Sequence, residues 1–398
     1  MRAILARSPG LGRLLAGQVP ADAADWLAYV AVATLLSYTW QAPAVAFAWF
    51  GVALGLPYIL IGPLAGVLVD RLPIRAVLIW SNLGRGAAFA AMTLAPGWQT
   101  LLTLLFLAGV VDSFFSPAKQ AALQALAGRA DRMAANGASR AINQTSKVVM
   151  PGLGGLLLTL VAPEVVFAIN GCVSLLAVAI FATMPSFGRR QGSPVPDGFL
   201  GELRAGLSLV RRSRVLSAAL TLSAAGFFAI FLYDTLLPPL VRAIGFGPAT
   251  LGWSFAAFGA GGIAGSVLVA RRGNGHGAFA LIAAGAATSG ILTLLTGMAE
   301  VLSLDIAAPV LLAVFAMNGT VAAAFFVPIR TVVQDHTDDR SIARVTALLE
   351  AANAGALLTA PFLGAAIAAR FSPGWAFVAG GGLLVLTGVA AWTRRRAA

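Results

Sequence analysis

Charge is scarce in this sequence, and cysteine and histidine are almost missing. Charged residues make up 11% of the 398 positions, against ~25% in a soluble globular domain. Hydrophobic residues reach 59% and the mean hydropathy is +0.87, so a soluble globular protein is excluded. The single cysteine, Cys172, lies inside an apolar run, which leaves no intramolecular disulfide to form. The two histidines, His276 and His336, fall between apolar runs without metal-ligand spacing, so no metal site is expected. With no histidine at membrane depth, the serines have no base for hydrolase chemistry. No Gly-x-x-x-x-Gly-Lys-Ser/Thr loop is present, which argues against ATP hydrolysis. Gly259-Ala260-Gly261-Gly262-Ile263-Ala264 approximates a dinucleotide fingerprint, but it has no strand before it and reads as small-residue helix packing. No cofactor is expected. Met1 to Arg13 holds three arginines with short apolar pieces between them, so no cleavable signal peptide is expected.

What is there is a series of long, continuous apolar runs, unlike the short alternating segments of a membrane β-barrel. Twelve can be read, from 12–38 to 373–393, with the fourth at 99–118 and the tenth at 304–326. The expected fold is an all-α polytopic membrane protein of twelve transmembrane helices. The net charge of +12 would suggest nucleic acid in a soluble chain, but here it has another source. With both termini cytoplasmic, only four of the 27 Lys and Arg lie off that side: Arg242 and Arg370 opposite, Arg85 and Lys147 within spans. Such a bias fixes the orientation and removes the case for a nucleic-acid partner.

The chain also repeats. Phe114-Phe115-Ser116-Pro117-Ala118-Lys119 is echoed by Phe325-Phe326-Val327-Pro328-Ile329-Arg330, and Pro151 by Pro361. Ala65 to Arg71 is echoed by Ala264 to Arg271, with Ala270 where the first half has Asp70. Parallel repeats are a transporter signature, with the substrate site near the midplane. The expected organisation is two pseudo-symmetric six-helix bundles, 1–184 and 215–398, joined by a cytoplasmic linker, 185–214. In that linker Phe199, Leu200, Leu203, Leu207 and Val210 share one helical stripe, which predicts an amphipathic helix on the membrane surface.

Ionisable groups inside a membrane are costly and are functional candidates by default. Asp22, Asp25 and Tyr29 share a face of span 1, with Asp25 about 13 residues, ~20 Å, inside. A desolvated carboxylate that can switch between its two protonation states suits proton coupling. The competing reading is a structural ion pair with Arg85 on span 3, and the two are compatible. Asp112 on span 4 is a second candidate partner for Arg85 and a further candidate coupling acid. Lys147 shares a face of span 5 with Asn143 and Gln144, suited to a polar or anionic cargo or to an ion pair. Glu350 on span 11 is a further candidate coupling or gating acid.

Between spans 2 and 3 a tight polar turn carries Asp70, Arg71 and Arg75 after Gly66 and Leu68. Asp70 sits at the negative dipole end of its helix, so it calls for a cation from Arg71, Arg75 or another helix end. The order Gly-x-Leu-x-Asp-Arg-x-x-x-Arg resembles the loop between helices 2 and 3 of the major facilitator superfamily. The resemblance implies a cytoplasmic conformational latch at Gly66, Leu68, Asp70, Arg71 and Arg75, with Pro73 where the family usually has glycine. Pro151-Gly152-Leu153-Gly154-Gly155 resembles the superfamily's Gly-Pro-x-x-Gly-Gly antiporter motif, with Met150 in place of its first glycine.

Gly17-Gln18, Asp25-Trp26, Phe114-Phe115-x-Pro117-Ala118 and Ala135-Asn136-Gly137 resemble the branch containing bacterial enterobactin exporters and macrolide efflux proteins. Ser116 to Lys119 and Ala135 to Gly137 are shared with the related lysophospholipid transporters. The resemblance implies a proton-coupled exporter of small amphipathic molecules, with protons and a small-molecule or lipid-like substrate as partners. It implies a single chain in the bilayer of the bacterial inner membrane, and no enzyme activity. A lysophospholipid flippase is the alternative. A non-transporting receptor or scaffold is disfavoured, because it has no need of buried Asp25, Arg85 and Lys147.

Overall fold

The computed structural model describes residues 8–128, 131–185, 207–272, 277–338 and 341–394. Within them the chain is helical: α1 (Pro9–Thr34), α2 (Ala44–Val69), α3 (Ile74–Met92), α4 (Trp98–Asp112), α5 (Phe115–Leu126), α6 (Arg132–Leu157), α7 (Pro163–Ala182), α8 (Arg214–Phe231), α9 (Leu237–Ala243), α10 (Pro248–Arg272), α11 (Ala278–Val301), α12 (Ala308–Asp335), α13 (Ile342–Arg370) and α14 (Pro373–Arg394). Helix starts follow local chemistry. α1, α7, α10 and α14 begin at proline, whose fixed φ suits a first turn and whose missing donor costs nothing there.

Ten segments are long and apolar enough to cross a membrane, with α4–α5 and α8–α9 each counted as one. α3 and α6 complete the twelve. They fall short because α3 carries Arg75, Asn82 and Arg85, while α6 carries Arg140, Asn143, Gln144 and Lys147. Two spans differ from the sequence expectation. The fourth breaks at Ser113 and Phe114 and resumes as α5 to Leu126, and the tenth runs on to Asp335. Lys119 and Arg330 are therefore inside helices rather than in polar loops. The linker's amphipathic stripe lies largely outside the described residues, which resume as helix at 207.

The chain divides into two compact units, Met1–Ala42 with Ala53–Val195, and Pro43–Val52 with Pro196–Ala398. In the first, α1 packs on α6 and α7, and α3 on α4, α5 and α7. Its apolar core gathers Leu14, Leu78, Phe115, Leu123 and Phe181, with the rings of Phe115 and Phe181 6.0 Å apart. In the second, α8 packs on α13 and α14, α10 on α12, and α11 on α12 and α14. Its core is Leu222, Ile282, Phe325, Ile329 and Val333.

Apolar burial does little to hold helices together in lipid, so packing depends on close backbone approach at small residues. In α14, Gly374, Gly381 and Gly388 recur every heptad and face Gly297, Gly290 and Ala287 of α11. The same device joins α10 to α12, where a Cβ on Gly261 would stand 3.0 Å from the Thr320 nitrogen. Helix packing is thus the role of the glycine-rich segment that mimics a nucleotide fingerprint. A Cβ on Gly381 would fall 2.6 Å from the Leu294 nitrogen, whereas Gly382 has nothing within 4 Å. Gly381→Leu is expected to destabilise the fold by ~1–3 kcal/mol through overpacking, and Gly382→Leu to leave it nearly unchanged. Thermal unfolding of the two variants in detergent checks this.

Candidate functional site

The site is built in the first unit from α1, α2, α3, α4 and α5. Arg85, midway along α3, is 1% exposed. Its Nη1 donates to Asp112 Oδ1 at 2.5 Å, and its Nη2 donates to the Ala21 carbonyl at 2.7 Å. Nη2 also lies 3.2 Å from Asp25 Oδ1. Asp112 ends α4, where the helix dipole alone would disfavour a carboxylate. The guanidinium offsets that cost, and the Tyr58 hydroxyl donates to the other oxygen, Oδ2, at 2.7 Å. The ring of Phe115 lies 5.7 Å from the Arg85 guanidinium and 5.2 Å from Lys119 Nζ, both within reach of the π face.

Asp22, one turn before Asp25, has its own partners. Gln18 Nε2 donates to its Oδ2 at 2.8 Å, Asn143 Nδ2 to the same oxygen at 3.3 Å, and Lys119 Nζ lies 3.8 Å from Oδ1. Gln18 is held in turn by α6, donating to the Ser139 carbonyl and accepting from the Ser139 hydroxyl at 2.8 Å. The three carboxylates are therefore unequal. Side-chain exposure is 4% for Asp22, 13% for Asp112 and 41% for Asp25. Asp25 is the open one, and among the described residues its ion-pair partner is Arg85 alone.

Around Asp25 the α1 surface continues with Trp26 and Tyr29, ring centroids 5.8 Å apart. Lys147 Nζ stands 5.4 Å over the Trp26 ring and makes no ion pair among the described residues, so its contact there is cation–π. Asn143 joins the Asp22 group, while Gln144, on the same stretch of α6, joins neither. Pro151 lies inside α6, and Gly152, Gly154 and Gly155 are buried there. A Cβ on Gly154 would meet Leu27 of α1 at 3.2 Å, so this motif serves the α1–α6 contact.

Glu350 does not belong to the first unit. It is on α13 in the second unit, exposed, with Arg330 Nη2 at 3.3 Å. Arg75, in the first turn of α3, donates to the Ala182 carbonyl, and Arg13, in α1, donates to the Thr183 carbonyl. Both arginines thus cap the carbonyl end of α7. Asp70 forms no ion pair among the described residues, so Arg75 does not supply the cation expected for it.

Sequence reasoning missed Lys119 and Tyr58 as members of the site. Lys119 reads as a loop charge when span 4 is ended at 118, and its spacing of four from Phe115 was the available signal. Tyr58 follows Pro57 in a leucine-rich span, where a lone hydroxyl called for a buried acceptor. Arg85→Leu would leave Asp112 buried without its cation, a loss of ~3–5 kcal/mol, and the Arg85→Leu/Asp112→Leu pair is expected to lose less than the sum of the singles. A double-mutant cycle on unfolding in detergent checks this, with a coupling of ~0.5–3 kcal/mol expected.

Comparison with known proteins agrees with this architecture. The sequence matches the family described as Major Facilitator Superfamily over residues 14–295 and 228–398. It is 30% identical to the uncharacterized MFS-type transporter YfiS of Bacillus subtilis over 66% of this chain, spanning 64% of that relative's length. It is 26% identical to macrolide efflux protein A of Enterococcus faecalis over 61% of this chain and 77% of that protein. In three dimensions it superposes on the nucleoside transporter NupG with a TM-score of 0.79 at 10% identity, covering 96% of this chain and 99% of that one. A bacterial homologue of the human lysosomal transporter Spinster gives 0.68 at 14% identity, covering 98% and 96%. At such identities the structures speak for the fold alone. Twelve helices in two six-helix bundles, the paired repeats and a match running almost the whole length make this chain a member of the major facilitator superfamily.

Proposed function

We propose that this transporter is a proton-coupled exporter of small amphipathic molecules, working by alternating access. The observation that carries the reading is the ion pair of open Asp25 with buried Arg85. Three carboxylates, Asp22, Asp25 and Asp112, share two cations, Arg85 and Lys119. The ion-paired group therefore holds one negative charge in excess, and one proton removes it. Asp25 is the acid best suited to take that proton. Its neutralisation gives up one ion pair, and Arg85 keeps Asp112 and the Ala21 carbonyl. Asp22 and Asp112 would each give up a fuller set of donors.

Cargo reads the same surface. Trp26 and Tyr29 offer aromatic faces beside Asp25, and Lys147 and Asn143 offer polar contacts, a mixture suited to an amphipathic molecule. The similarity to macrolide efflux protein A supports export. In this reading bundles 1–184 and 215–398 each move as one body, joined by the linker 185–214. The segment Asp70 to Arg75 with Gly66 and Leu68 serves as the cytoplasmic latch, and Pro151 with its glycines as the pivot of α6. The protein works as a single chain in the bacterial inner membrane, with both ends of the chain in the cytoplasm.

Purified protein in liposomes with an imposed pH gradient and a fluorescent proton reporter tests the proposal. Addition of a transported macrolide, siderophore or dye is expected to move protons, and Asp25→Asn to abolish that movement while the protein stays folded. Lysophospholipid movement without a proton signal would instead establish a flippase.

A further inference from the structure

At one end of the second unit, three arginines converge on a cavity that the transport chemistry does not use. Arg211 lies in the helical stretch 207–212, Arg214 opens α8, and Arg394 closes α14. They line a cavity of about 330 Å³ whose remaining walls are Val215, Ala218, Phe279 and Ser217. Among the described residues none of the three guanidinium groups has an ion pair, and no carboxylate lines the space. All three arginines are exposed and the described lining holds no countercharge, so the cavity presents a positive face suited to an anion. α8 and α11 both begin at this cavity, and their positive dipole ends add to the potential there.

The position of the cavity narrows the class of anion. Arg214 and Arg394 are the first and last residues of membrane-crossing segments, so the charges stand at the edge of the bilayer. Trp392, 49% exposed, stands beside Arg394 in the sequence and is of the type enriched at that depth. The floor is apolar, with Ala218 and Phe279 buried, and a free inorganic anion has no use for such a floor. A phosphodiester attached to a glycerol and acyl root uses both parts. We propose that this cavity binds the phosphate headgroup of an anionic phospholipid from the surrounding bilayer. The guanidinium groups would hold the phosphate, Ser217 would add a neutral donor, and the acyl root would cross Ala218 and Phe279. This site rests on the chain being a membrane protein and is independent of the proton-coupling reading.

The test uses the full chain and phosphatidylglycerol as the probe, with phosphatidylcholine and inorganic phosphate as references, read by native mass spectrometry of the detergent-released protein. Retention of phosphatidylglycerol over phosphatidylcholine is expected, with no comparable retention of phosphate. Each arginine near an anionic lipid surface is worth about fivefold in binding, so R211Q/R214Q/R394Q is expected to lose about a hundredfold, and the triple lysine variant to keep most of it. Equal retention by the glutamine variant, or equal binding of inorganic phosphate, would overturn the proposal. Footprinting of the unsubstituted protein with an arginine-selective dicarbonyl gives a second readout that needs no variant. Bilayers with phosphatidylglycerol should protect Arg211, Arg214 and Arg394 but not exposed Arg132 and Arg330, and uniform protection would sink the site.

Discussion

A guanidinium held away from water near the middle of a membrane helix is the constraint on which the first unit is built. Arg85 cannot lose its charge, so the fold must bring acceptors to it from several directions. α1 supplies the Ala21 carbonyl and Asp25, and α4 supplies Asp112 at the end of its last turn. α5 supplies the Phe115 face, and α2 supplies Tyr58 to finish Asp112. The break at Ser113 and Phe114 follows from the same demand. It places Asp112 at a helix end against the cation and lets α5 restart with Phe115 and Lys119 facing the cluster.

The second unit repeats the scaffold without the buried charge. The repeat that carries Phe114-Phe115 onto Phe325-Phe326 carries Asp112 onto Ala323 and Lys119 onto Arg330, which meets exposed Glu350. α11, the counterpart of α3, has no charged residue before Glu300. In place of an ion-pair cluster there is a neutral chain: Ser289 donates to Asn318 at 2.6 Å, Asn318 to Thr293 at 3.2 Å, and Thr293 to Tyr233 at 3.4 Å. Hydrogen bonds of this kind hold helices in register without the desolvation cost of ions, and no proton can change their charge. Glu300, close to the end of α11, is spent on the start of α14, accepting from Ser372 Oγ and the Gly374 nitrogen. The two halves share packing and divide chemistry.

Much of this was legible in the sequence, because lipid restricts what a chain can do. Continuous apolar runs, the repeated Phe-Phe and proline positions and the bias of Lys and Arg were enough for twelve helices in two related halves. Asp22, Asp25, Arg85 and Asp112 stood out because a charge in an apolar run has few bland explanations. What sequence spacing does not carry is which way a side chain reaches across to another helix. Arg85 had two candidate acids and takes both. Glu350 looked like an equal of Asp25, yet it meets Arg330 because α12 runs nine residues past the expected end of its span. Arg75 was one of the cations open to Asp70 and instead reaches the carbonyl end of α7, because exposed carbonyls of a neighbouring helix are also a target for a guanidinium.

Proline in α6 ties the packing to the site. Pro151 has no N–H to give, so the carbonyl one turn earlier, that of Lys147, loses its helical partner, and the helix is softest where that side chain leaves it. The same helix touches α1 closely at Gly154, against Leu27, and again through Ser139 on Gln18. Between these two contacts lie Asn143 on Asp22 and Lys147 on Trp26. A change of bend at Pro151 would therefore shift the polar face of α6 over Asp22 and Asp25 while both flanking contacts hold. Under the proposed proton coupling, α1 and α6 would be the pair through which a change of charge at Asp25 becomes a change of helix shape. Part of the polarity that keeps α6 from resembling a membrane span is turned toward α1, where Ser139 meets Gln18, Asn143 meets Asp22 and Lys147 meets Trp26.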